Sequence, residues 1–158
     1  MAIIHENLYR TEDFSSINFA NYLVNLVTNL IASYRIHEVV ELDSDVDEID
    51  LVLDQAIPCG LLVNELITNS LKYAWKEKQE GIIKLRLKQS GSSVSLIIAD
   101  NGAGLPNDFE DMSSDTLGLQ LVVTLVEQLD GELTVNVKKG TEYLIKFDNI
   151  KTLTDGEN

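Results

Sequence analysis

Two apolar runs, Ile82–Leu87 (IIKLRL) and Val94–Ala99 (VSLIIA), flank Gln89-Ser90-Gly91-Ser92. The first alternates apolar and polar residues, and the second is more continuously apolar. Strand-like runs joined through a short glycine-containing turn form an antiparallel hairpin. A second pair, Glu132–Lys138 and Thr141–Phe147, meets through Lys139-Gly140. Hairpins of this kind do not fit the regular βαβ alternation of a doubly wound sheet, and the chain has no GxxxxGK(S/T) stretch. Strand pairs interleaved with helices point instead to an α+β fold. The expected form is a two-layer α/β sandwich, one mixed sheet with three helices on one face.

The helices are read from period and caps. Ile3, Ile4, Leu8 and Tyr9 mark the end of a first helix, followed by turn chemistry with Asp13 or Ser15 as candidate N-caps. Phe19 to Arg35 carries a wide apolar stripe through Tyr22, Leu23, Leu26, Val27, Leu30, Ile31 and Tyr34. Glu38–Leu42 reads as a strand, Asp43–Asp50 as an acidic turn and Leu51–Leu53 as a short strand. Asp54 is the expected cap of a central helix that Ala56, Ile57 and Pro58 lead into and that runs to about Lys78. Leu105–Asp115 is a polar, acidic loop, and Thr116 caps a helix over Leu117–Leu129. Asp130-Gly131 is a turn, and residues 148–158 read as a frayed polar tail.

At 158 residues the chain suffices for one domain with a sizeable core. Its net charge of −14 argues against a nucleic-acid surface, which needs a basic face. No apolar run can cross a membrane, no signal-peptide pattern opens the chain, and the composition suits the cytoplasm. Two histidines and one cysteine exclude a histidine-rich or multi-cysteine metal site. Cys59, between Pro58 and Gly60, reads as a small buried residue. The acids Asp43, Asp45, Asp47, Glu48 and Asp50 lack the glycine and closing glutamate of a calcium loop, so they read as solvated.

The central helix holds Leu61 to Lys72, LLVNELITNSLK. Glu65, Asn69 and Lys72 recur at i, i+4 and i+7 and so share one face. An acid, an amide and an ammonium offer a nucleoside triphosphate a proton acceptor, an oxygen ligand for Mg²⁺ and a cation for phosphate. The same stripe also fits an amphipathic helix with a polar edge. Asp100 ends a strand ahead of Asn101-Gly102-Ala103-Gly104, where a carboxylate can accept from an adenine amine and glycines admit a flat base; a plain strand-end turn has the same residues. Thr116-Leu117-Gly118-Leu119 opens a helix whose free N–H groups suit a phosphate or serve an ordinary capped helix. Gly140-Thr141 can bring a hydroxyl to the base or simply turn the chain.

Taken in order, NELITNSLKY, DNGAG, TLGLQLV and GTEYLIKF resemble the nucleotide-binding superfamily shared by gyrase, heat-shock chaperones and sensor histidine kinases. More narrowly, residues 15 to 148 resemble the catalytic ATP-binding domain of a sensor histidine kinase, a Bergerat-type ATP-binding fold. The subgroup has a first box reading NE…N. IHENLY is similar to the segment that joins the dimerisation helix to this domain. The resemblance implies residues 1–14 as the end of that helix or a linker, 15–148 as the catalytic domain and 149–158 as a flexible tail. It implies that Asn69 coordinates Mg²⁺ and that Glu65 sits where the superfamily places an asparagine or a catalytic-base glutamate. Lys72 would meet phosphate, and Tyr73 the base or ribose. Asp100 would take the adenine amine, in a pocket shaped by Gly102, Gly104 and Leu105. Residues 105 to 116, ending at Thr116, would form a lid. Gly118 and Leu119 would close on the phosphate tail, and Thr141 would support the adenine.

The implied cofactors are ATP and Mg²⁺. The implied partners are the protein's own dimerisation and phosphoacceptor domain and a downstream response regulator, with no nucleic acid and no membrane contact. The chain departs from the family in lacking an acceptor sequence like H-R-V-K-N-N. His5 stands in IIHENLYR, and His37 precedes a strand. The expectation is a catalytic half acting on a histidine supplied elsewhere. The alternatives are an anti-sigma-type serine/threonine kinase of the same superfamily and a degenerate nucleotide-binding interaction module.

Overall fold

A computed structural model describes residues 16–34, 40–75, 80–102 and 117–155. The order is β1 (Ser16–Asn18), α1 (Phe19–Ser33), β2 (Val40–Val46), β3 (Asp50–Val52), α2 (Leu53–Tyr73), β4 (Gly81–Ser90) and β5 (Ser93–Asp100). Then come α3 (Leu117–Gln128), β6 (Glu132–Lys138), β7 (Gly140–Asp148) and a short α4 (Ile150–Asp155). Five strands form one mixed sheet in the order β2-β4-β5-β7-β6. β2 runs parallel to β4, and the other neighbours are antiparallel. β1 and β3 pair in a separate ribbon, with Ser16 opposite Val52.

The sheet buries one face. Ile83, Leu85 and Leu87 of β4, Val94, Leu96 and Ile98 of β5, and Tyr143, Ile145 and Phe147 of β7 are buried. Their alternates Ile82, Lys84, Lys88 and Lys146 are exposed, as a period of two demands when one side meets water. The helices supply the other half of the core through Phe19, Leu23, Leu62, Leu66, Ile67, Val122 and Leu125. α2 lies between α1 and α3 and packs against both. The α+β sandwich read from the hairpins is therefore the architecture observed. Among the described residues no helix is long and apolar enough to cross a membrane.

Several boundaries differ from the sequence reading. Asn18, not Asp13 or Ser15, caps α1, its Oδ1 accepting from Asn21 N–H at 3.2 Å. α2 starts one residue before Asp54, whose carboxylate lies in the first turn, where the helix dipole favours it; Pro58 is inside the helix. α2 also stops at Tyr73 rather than near Lys78, because Trp75 turns inward to bond Asn101. β2 extends through the expected acidic turn to Val46, since basic residues on β4 face it. Arg86 meets Asp43 at 3.0 Å, and Lys88 meets Asp45 at 2.7 Å and Asp47 at 3.4 Å. The expected tail begins instead with Asn149, 2% exposed, and the helix α4. Both are held by hydrogen bonds to Gln55, Asp50 and Gln89.

Candidate functional site

β5 lies between β4 and β7 and ends at Asp100. Alternation places Asp100 on the helical side of the sheet with Val94, Leu96 and Ile98. The residue is 9% exposed, and each carboxylate oxygen has a donor. Ser70 Oγ donates to Oδ2 at 2.7 Å. Gly102 N–H donates to Oδ1 at 3.0 Å. An ionised carboxylate offers about four acceptor positions, so capacity remains for a further donor.

Backbone packing holds this corner tightly. A Cβ on Gly102 would overlap the Ala74 carbonyl, and one on Gly140 would overlap the Asp100 carbonyl. Gly140 also has φ near +102°, a conformation that side chains rarely tolerate. Thr141 follows directly, opposite Asp100 in the β5–β7 register and 5% exposed. Asn101 turns the other way. Its Oδ1 accepts from Trp75 Nε1 at 2.9 Å and from Ile82 N–H at 2.8 Å, so the segment after β5 is fastened to the end of α2 and the start of β4. Burial, with the charge of Asp100 adding to it, pushes the Tyr143 hydroxyl up to about 12, so it stays a neutral phenol at neutral pH.

α2 is one continuous helix from Leu53 to Tyr73, so Glu65, Asn69 and Lys72 do share a face. Glu65 and Asn69 are half-buried and Lys72 is exposed. Because Ser70 follows Asn69 and bonds Asp100, the helix bearing the stripe is linked directly to the carboxylate. Tyr73 is 75% exposed. Gly118 lies in the first turn of α3. Leu119, half-buried, lines an apolar groove of about 240 Å³ with Val122, Val123, Leu133, Val135 and Tyr143. Gly104, Leu105 and Thr116, with His5 and His37, lie outside the described residues. A larger hollow of about 470 Å³ touches Asp100 and Thr141, but Lys84, Ala99 and Glu142 that line it belong to the sheet's other face. Ser70 reaches the Asp100 carboxylate from the helical side.

Ser70, Trp75 and Asn101 had no expected role. In the sequence Ser70 is one more small residue of a helix, and Asn101 is ordinary turn chemistry. Only the fold brings each to its partner. Cys59 is fully buried, and burial pushes its thiol up to about 12, which leaves it inert as a nucleophile at neutral pH. Among the described residues no three His, Cys, Asp or Glu side chains could hold a metal together. A cation carried in largely by phosphate oxygens and water needs few protein ligands, and the half-buried Glu65 and Asn69 of α2 have side-chain oxygens that could serve one.

The family described as histidine kinase-, DNA gyrase B-, and HSP90-like ATPase matches residues 54–150. This chain belongs to that family. A second family, described as histidine kinase, matches residues 1–34, a stretch that includes α1. The chain is similar to the blue-light-activated histidine kinase 2 of Erythrobacter litoralis, 31% identical over 110 residues, covering 69% of this chain and 32% of that protein. It thus spans about a third of that relative's length. The histidine kinase domain of a blue-light activated histidine kinase from the same organism superposes with a TM-score of 0.79. That match has 24% identity and covers 96% of this chain and 72% of the other. The anti-sigma F factor of Clostridium kluyveri is 28% identical over 111 residues, 64% of this chain and 76% of that protein. ATP binding follows from membership of the ATPase family, and within it the match of residues 1–34 and the 31% identical relative are both to histidine kinases.

Proposed function

We propose that this domain binds ATP with Mg²⁺ and donates the γ-phosphate to a histidine on a dimerisation domain, from which a response regulator takes it. The observation that carries this reading is the Ser70–Asp100 bond. It ties a buried carboxylate with spare acceptor capacity to the helix that bears Glu65, Asn69 and Lys72.

In this reading Asp100 accepts the adenine amine and Thr141 supports the base beside it. Gly102, Gly104 and Leu105 shape that pocket, with Tyr73 against the base or ribose. Asn69 supplies the oxygen ligand for Mg²⁺, which neutralises phosphate charge when bound. Lys72 meets a phosphate, and Thr116, Gly118 and Leu119 frame the phosphate tail at the start of α3. Glu65 is the carboxylate placed to orient or accept a proton. Phosphoryl transfer needs chiefly positioning and charge neutralisation, and this set offers both. The compartment proposed is the cytoplasm, where ATP is supplied.

The test has two parts. Calorimetric titration with ATP, with and without Mg²⁺ and with GTP as control, should show Mg²⁺-dependent binding selective for ATP. Mixing the protein with ATP and a separately produced dimerisation domain should then give acid-labile phosphate on that domain's histidine. Acid-stable phosphate on a serine would favour the second reading, a serine/threonine kinase of the anti-sigma type, which the similarity to an anti-sigma F factor keeps in view; the match of residues 1–34 to the histidine kinase family speaks against it. No binding at millimolar nucleotide would leave an interaction module.

A further inference from the structure

We propose that Ser70 is a positioning residue that sets base selectivity, by fixing the Asp100 carboxylate so that its free acceptor positions face a 6-amino group. The inference rests on the nucleotide reading above. Serine in a helix interior has no local merit. It is a middling helix former, and its hydroxyl commonly returns to a carbonyl one turn back. Ser70 is buried at 6% exposure in the last turn of α2, and its hydroxyl reaches Asp100, thirty positions away in sequence, at 2.7 Å.

Two donors hold Asp100 from two directions. Gly102 N–H takes Oδ1 from the following turn at 3.0 Å, and Ser70 takes Oδ2 from the helix. Together they fix the plane of the carboxylate. An ionised carboxylate only accepts, so the group it meets must donate. Adenine presents an exocyclic amine at position 6, whereas guanine presents an oxygen there, which the carboxylate repels. Without the Ser70 hydroxyl, Asp100 keeps only the bond from its own turn. Its plane is then free to swing, and Oδ2 turns to water instead of the base.

The experiment titrates the full chain with Mg²⁺ and either ATP or purine riboside triphosphate, which lacks the 6-amino group. Wild type is compared with Ser70→Ala and Ser70→Thr, and thermal midpoints are recorded for each. A hydrogen bond to a charged group is worth at least about tenfold, so wild type should favour ATP by at least that factor. Ser70→Ala removes a single oxygen. It should bring the ratio to within about threefold of unity by weakening ATP alone, and Ser70→Thr should restore it. A merely structural serine would weaken both ligands by one factor, so an unchanged ratio in Ser70→Ala overturns the proposal while the pocket stands. Failure of wild type itself to bind ATP, or to distinguish the two ligands, would instead defeat the base-pocket reading and this inference with it.

Discussion

Helix α2 carries a buried polar side chain near each end, and the two are used in opposite ways. At the start, Gln55 is 2% exposed. Its Nε2 donates to the Asp148 carbonyl at 2.7 Å, and its Oε1 accepts from Ile150 N–H at 3.1 Å. Asn149 beside it donates Nδ2 to the Asp50 carbonyl and Gln89 Oε1, and accepts Lys151 N–H, all at 3.1 Å. Every polar atom of these two amides has a partner within the chain, and the partners tie α2 to β3, β4, β7 and α4. At the other end the Asp100 carboxylate has two donors and room for more. Buried polar groups are costly unless bonded. Amides that both donate and accept across four elements are a structural staple, and an accept-only carboxylate beside glycine-lined backbone fits the donating base proposed above.

Substitutions can break this contrast. The largest effect should come from Gln55→Ala, which strips partners from two backbone groups and should cost about 2–3 kcal/mol. Urea unfolding measures the loss, and ATP affinity should not move; a fall in affinity with stability intact would reverse the assignment of the two ends. Asp100→Asn should do the opposite. Placing an amide donor where an acceptor stood should lower ATP affinity by roughly 10- to 100-fold, read by calorimetry, with a small change in unfolding midpoint. Under the same reading, Asn69→Ala should remove the Mg²⁺ dependence of binding while leaving the adenine contacts. Tyr22 sharpens the rule from outside either end. Its hydroxyl is buried with no hydrogen-bond partner among the described residues, packed where Gly60 leaves space in the α1–α2 seam. Spare capacity in a closed seam is strain rather than a site, so Tyr22→Phe should raise stability by about 1 kcal/mol and leave nucleotide binding alone. Asp43→Ala, at an exposed pair with Arg86, should change stability by less than about 0.5 kcal/mol. A much larger loss would mean that these exposed ion pairs, rather than the backbone ladder with β4, hold β2 in the sheet.

What the sequence made legible was whatever period and turn chemistry determine locally. The two hairpins appear with their pairing because Gly91 and Gly140 sit at their turns, both at positive φ. The Glu65–Asn69–Lys72 stripe follows from helical spacing alone, and Asp100 from its place at the end of an apolar run. Ser70, Trp75 and Asn101 stayed hidden because each answers to a residue distant in sequence. The tail was misjudged for the same reason. Asn149 and the residues of α4 have the composition of a loop, and their order comes from Gln55, Asp50 and Gln89, sixty to a hundred positions away. The acidic stretch of β2 looked like a solvated turn because the cations that pair with it stand on β4.

The chain has a single tryptophan. Trp75 is mostly buried, and its indole N–H is bonded to the residue directly after Asp100. The protein therefore contains its own optical gauge. Emission from that one chromophore will shift in wavelength or intensity whenever the segment following β5 rearranges. Rapid-mixing fluorescence can time that rearrangement on unlabelled protein, with no second emitter of its kind to subtract.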